Sequence, residues 1–123
     1  MTWLGTSSGS PSNERNVSCT VVQTPNASFL VDCGEGSQRQ LLQANIDPSQ
    51  IDGIFITHLH GDHCFGLATT LIMIDSAKAE RWEREGADLE ASGLQKDERN
   101  KGGRGVQASY GPGGTAASRG PIT

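Results

Sequence analysis

The stretch Thr57-His58-Leu59-His60-Gly61-Asp62-His63 follows directly on the apolar run Ile54-Phe55-Ile56 and holds all 3 histidines of the chain. Side chains two apart in an extended segment project the same way, so His58 and His60 can converge on one cation while Leu59 points into the core. Gly61 permits a bend that a bulkier residue would resist, turning Asp62 and His63 toward a second position close by. Imidazole and carboxylate together suit zinc, with manganese or iron as weaker alternatives. Two divalent ions roughly 3.5–4 Å apart activate water and clamp both the attacking and the leaving oxygen of a phosphodiester. The bland alternative is a solvated loop that happens to be rich in histidine. The strand-then-loop context weighs against it, because the motif's mechanism requires that context.

Working outward, Ile54-Phe55-Ile56 is apolar on both sides, which predicts a strand over Ile51 to Thr57 buried under helices on both faces. Upstream, Trp3-Leu4 leads into the Gly- and Ser-rich loop Gly5 to Ser12. Val17 to Thr24 and Ser28 to Val31, separated by Pro25-Asn26, predict a hairpin. Ser37 to Asn45 predicts a helix with Leu41 and Leu42 on one face. Downstream, Leu67 to Ile74 is apolar nearly all round and predicts a packed helix, continued by Ala77 to Glu85 with a charged surface. Strands alternating with helices make the class α/β.

Composition divides the chain near Gly86. Residues from Gly86 onward hold nine of the 16 glycines, with Leu89, Leu94, Val106, Tyr110 and Ile122 as the only sizeable apolar side chains. A segment that poor in apolar surface cannot offset its ordering entropy. The reading is therefore an N-terminal part of a domain over 1–85, and a Gly/Ala/Ser-rich, largely disordered tail or insertion over 86–123. A chain of 123 residues allows one small domain, whereas a metallohydrolase that builds its site between two halves needs about twice the usual domain length.

The net charge of −4 and pI near 5.2 give no overall pull on a polyanion, so any contact with RNA must be local or supplied by a partner. Cys19, Cys33 and Cys64 are odd in number and too scattered for a C-x-x-C pair, which reads as three free thiols in a reducing compartment. No run of about 18 apolar residues exists, and Met1 to Ser10 lacks the basic start and apolar stretch of a secretory signal. The default is an intracellular soluble protein without a membrane partner, cytoplasmic unless an organelle claims it.

The H-x-H-x-D-H arrangement resembles the signature of the metallo-β-lactamase superfamily. Four further stretches narrow it. Leu4-Gly5-Thr6-Ser7-Ser8-Gly9, then Pro11 and Arg15-Asn16-Val17-Ser18, then Asp32-Cys33-Gly34-Glu35-Gly36-Ser37-Gln38, and Phe65-Gly66-Leu67 after the histidine loop, are similar in order and spacing to ribonuclease Z, the endonuclease family that trims tRNA 3′ ends. The likeness runs from Leu4 to Leu71, and Tyr110-Gly111-Pro112 looks like a further family segment displaced by an insertion.

That resemblance implies the first part of an αββα sandwich. It also implies zinc-dependent hydrolysis of precursor tRNA, two zinc ions per complete site, and a homodimer. By position, His58 and His60 would bind the first zinc, Asp62 and His63 the second, and Asp62 would also be the catalytic proton acceptor. Asp32 either sits beneath the site, orienting a ligand histidine through its second nitrogen, or with Glu35 serves as a charge at a helix N-terminus. Cys64 reads as a packed thiol rather than a metal thiolate. Arg15 and Arg39 read as solvated, though in an intact enzyme they could meet phosphate.

The family completes its site with further histidines and a bridging aspartate from later sequence, yet no histidine follows His63 here, and Asp75, Asp88 and Asp97 match no bridging position. The family's tRNA-gripping arm has no counterpart either. This points to a truncated chain, inactive by itself. Two other readings stand beside it: a non-catalytic remnant that binds zinc weakly, and another hydrolase of the same superfamily, such as a phosphodiesterase or sulfatase-like enzyme.

Overall fold

The structure is a computed structural model and describes residues 1–93. Four strands, β1 (Thr2–Gly5), β2 (Cys19–Gln23), β3 (Ser28–Val31) and β4 (Ile51–Phe55), form one sheet in the order β1-β2-β3-β4. The first two pairings are antiparallel and β3 pairs with β4 in parallel. Helix α1 (Ser37–Gln43) and a 3₁₀ turn (Pro48–Gln50) make the crossover between the parallel strands, and α2 (Gly61–Cys64) and α3 (Leu67–Ala91) follow β4.

The expected hairpin is β2–β3. Its Pro25-Asn26 turn is closed by Thr24, whose N–H donates to the Ala27 carbonyl at 2.8 Å while its hydroxyl accepts from the Ala27 N–H at 3.0 Å. Cross-strand register places Leu4, Cys19, Val21, Leu30 and Ile54 on the buried face, where Leu41 of α1 and Ile74 of α3 complete the core. Burial pushes the Cys19 thiol up to about 11 and raises Cys33 as well, so both stay protonated, and all three cysteines are free.

Several expectations need correction. Among the described residues, helices cover only one face of the sheet. The other carries Trp3, Val22, Phe29, Val31 and Phe55, and Phe55 is 46% exposed against Phe29, ring centroids 5.4 Å apart. Leu42 is exposed while Leu41 is buried, because neighbours on a helix lie about 100° apart and only one can face the sheet. The apolar start of helix α3 is packed on one side only, since Ile74 is buried and Ile72 is exposed. The helix also runs through Gly86 to Ala91, where Gly93 at φ +74 lies just past its end. The composition boundary at Gly86 thus falls inside a helix, and the remainder of the tail, with Tyr110-Gly111-Pro112, lies outside the described residues.

Candidate metal centre

Because β3 and β4 are parallel neighbours, their C-terminal ends lie side by side, and in open α/β sheets ligands bind beyond such ends. Asp32 immediately follows β3, and Thr57 to His63 follow β4. Asp32 sits in the left-handed region at φ +61, a conformation an Asx side chain tolerates. Its N–H donates to the Phe55 carbonyl at 2.7 Å, which binds the turn to the end of β4.

The histidine loop is pinned onto the β3–α1 connection by backbone contacts. The Cys33 N–H donates to the His63 carbonyl at 2.7 Å, and the Gly66 N–H to the Cys33 carbonyl at 2.9 Å. The approach is so close that a Cβ on Gly34 would strike the Asp62 carbonyl, and one on Gly66 the Gly34 carbonyl. Gly61 has a related reason. It opens α2 without an unusual φ, and the Phe65 ring occupies the space its Cβ would need, so the glycine makes room for an aromatic ring rather than for a bend.

Within this frame the four predicted donors fall into two pairs. His58 Nε2 and His60 Nδ1 are 3.1 Å apart. Asp62 Oδ2 and His63 Nε2 are 3.4 Å apart. Two donors each about 2.0–2.1 Å from a tetrahedral zinc stand about 3.3 Å from one another, so both pairs have the separation of two ligands on one ion. The His58 and His63 rings lie close, with centroids 4.0 Å apart, which sets the pairs side by side. No three His, Cys, Asp or Glu side chains among the described residues are arranged around a single point. Each pair therefore leaves tetrahedral positions to be filled from elsewhere. The donor chemistry fits a divalent transition ion.

Two of the three remaining ring nitrogens, those of His58 and His63, are anchored. His63 Nδ1 is 2.7 Å from Asp32 Oδ2, and the Asp32 side chain is 7% exposed. Asp32 also accepts from the Thr57 N–H at 2.8 Å, from the Thr57 hydroxyl at 2.8 Å and from the Ser18 hydroxyl at 3.1 Å. Desolvation works to raise its carboxyl, but the hydrogen bonds from Thr57, His63 and Ser18 outweigh it and hold Asp32 below the usual carboxylate range. Of its two sequence readings, the one beneath the site matches these contacts. Gly36, not Asp32, caps α1, and no acidic residue lies in the helix's first turn.

Thr57 was not singled out by sequence, yet its hydroxyl also lies 3.0 Å from His58 Nδ1. The available signal was the need of a ligand imidazole for a partner on its second nitrogen. Asp62 accepts the Gly9 N–H at 2.8 Å. That bond, ahead of the positive charge of the neighbouring histidines, holds its carboxyl below the usual range.

Leu59 does not point into the core: it is 78% exposed, because the chain has already left the sheet and the alternation of a strand no longer applies. Cys64 is half-buried rather than packed in the core, its thiol donating to the His60 carbonyl at 3.3 Å. Arg15 and Arg39, with no ion pair among the described residues, both line a cleft of about 550 Å³ between the Gly5–Asn16 loop and α1, with Asn13, Gln40 and Gln43.

The Metallo-beta-lactamase superfamily profile matches residues 12–71. Ribonuclease Z of Prochlorococcus marinus (strain NATL1A) is 52% identical over 79 residues, 63% of this chain and 25% of the relative. Ribonuclease Z of Streptococcus uberis is 46% identical over 94 residues, 74% of this chain and 29% of the relative. Among solved structures, human tRNase Z, short form, superposes with a TM-score of 0.59 at 34% identity, covering 76% of this chain and 40% of that one. The chain spans about a quarter of the length of the curated relatives it matches. With its mixed sheet, its flanking helices and its histidine loop at the ends of the parallel strands, the chain has the metallo-β-lactamase fold as a partial domain, and over that part it is similar to ribonucleases Z.

Proposed function

We propose that this chain carries the metal-binding loop of a metal-dependent phosphodiester hydrolase acting on the 3′ extension of precursor tRNA. The observation that carries the reading is the pair of donor pairs, His58 with His60 and Asp62 with His63, at 3.1 and 3.4 Å beyond two parallel strand ends. His58 and His60 would hold one ion, Asp62 and His63 the other. Bound divalent ions supply Lewis acidity, which makes water a nucleophile at neutral pH and offsets phosphate charge. Asp62, held in place by the Gly9 amide, would take a proton at the reacting centre. Thr57 and Asp32 keep the His58 and His63 rings turned toward the ions. Arg15 and Arg39 would meet backbone phosphates along their cleft, a local attraction that the net charge of −4 does not offer.

In a protein with a complete site, Asp62→Ala should abolish metal-dependent cleavage of precursor tRNA while leaving its retention in a filter-binding assay unchanged. Wild-type turnover in that variant would refute the role. The same reading makes the ions zinc, two per complete site, the assembly a homodimer and the location cytoplasmic. Metal analysis and sedimentation would check the first two.

A second reading, that the 123-residue chain binds cations weakly without cutting RNA, is favoured by the count of two donors per ion among the described residues. Specific, metal-dependent cleavage by this chain alone would defeat it.

A further inference from the structure

Asp62 and Gly9 stand 53 positions apart in sequence, and the bond between them is the one hydrogen bond among the described residues that ties the Gly5–Ser12 loop to the histidine loop side chains. The Gly-Ser loop arrives at that contact already shaped. Ser7 is bridged to Val17 and donates its N–H to the Asn16 carbonyl at 2.8 Å, its hydroxyl donates to the Ser10 carbonyl at 2.7 Å, and the Ser12 N–H donates to the Arg15 carbonyl at 2.8 Å. At the tip, Gly9 has φ +74 with nothing within 4 Å of where its Cβ would be. Glycine is required there by backbone conformation, not by space.

We propose that the backbone N–H of Gly9 is the positioning donor for Asp62, fixing the carboxylate so that Oδ2 faces the second ion position. The same oxygen that accepts from Gly9 at 2.8 Å lies 3.4 Å from His63 Nε2. A carboxylate oxygen has two acceptor directions. The amide fills one of them, leaving the other to meet an ion shared with His63. The Gly-Ser loop and the Asp62–His63 ion position are thereby assembled together, while the His58–His60 position, to which no hydrogen bond runs from the loop among the described residues, is not. This inference rests on the reading of Asp62 and His63 as ligands of one ion, and its tests separate the two.

The full chain is prepared with the Ser8–Gly9 amide replaced by an ester, which removes the N–H and keeps the backbone path. Titration with Co²⁺ followed by visible absorption is expected to show the ion held by Asp62 and His63 weakened about fivefold in the ester variant, the size of one lost hydrogen bond. The ion held by His58 and His60 should be unchanged. In ¹⁵N-resolved spectra of the metal-free chain, the Gly9 amide proton is expected to shift on Asp62→Ala and to stay in place on His58→Ala.

Equal affinities in the ester variant, or equal losses at both ion positions, would overturn the proposal. So would a Gly9 resonance indifferent to Asp62→Ala. Should the wild-type chain hold no Co²⁺, two donors per ion are too few for this chain alone, and the amide resonance by itself decides the clamp.

Discussion

Asp32 gathers four donors, the Thr57 N–H, the Thr57 and Ser18 hydroxyls and His63 Nδ1, on a side chain that burial alone would discharge. Its charge is retained because each lone pair is answered, and the reward is a fixed orientation for the His63 ring. Asp32→Asn keeps the size, the left-handed backbone and an acceptor for Thr57, but loses the carboxylate facing His63. Metal affinity should fall about 10- to 100-fold, measured by competition with a chromophoric chelator, with the circular dichroism unchanged. An unaltered affinity would reduce Asp32 to a structural residue.

Between α1 and β4 the chain turns through the 3₁₀ segment Pro48–Gln50, against which α3 packs. Asp47 caps it, accepting the Ser49 N–H at 2.9 Å and the Ser49 hydroxyl at 2.8 Å. Desolvation works to raise its carboxyl, but these bonds, with Gln50 and the charge of Arg81, hold it below the ordinary value. A carboxyl lowered in the folded state stabilises only while ionised. Its contribution is present above the unfolded value of about 3.9 and is lost as pH falls through the lower folded value. Asp47→Ala should cost about 1 kcal/mol in urea unfolding at neutral pH, and the difference from wild type should shrink below about pH 4. A constant difference down to pH 2 would show that the loss is not one of charge.

Among the described residues, one face of the sheet is covered by α1 and α3, and the opposite face carries Trp3, Thr20, Val31 and Phe55 in one cross-strand row with Val22 and Phe29 alongside, a mostly apolar surface. A contiguous apolar patch of this kind binds hydrophobic dyes and promotes association. The 123-residue chain should enhance anilinonaphthalene sulfonate fluorescence and scatter light at high concentration, and the double variant Phe29→Thr, Phe55→Thr should lower both. If neither signal changes, the open face is not what the dye and the chain's own copies meet.

What the sequence by itself determined was local. The hairpin was written in β-branched runs flanking Pro25-Asn26, and α1 in its apolar spacing. The candidate site was written in six consecutive residues, because donors so close in sequence cannot be far apart in space whatever the fold. Tertiary structure alone decided the partners of those donors. Thr57 and Asp32 behind the rings, and Gly9 against Asp62, come together only because β3 and β4 run parallel and the N-terminal loop folds over their ends. Pairings across 25, 31 and 53 residues leave no periodic trace in the chain. The same reason explains the misplaced Leu59 and the half-open sheet. Alternation predicts which way a side chain points only while the strand lasts, and an apolar residue is buried only where another layer of the molecule arrives to cover it.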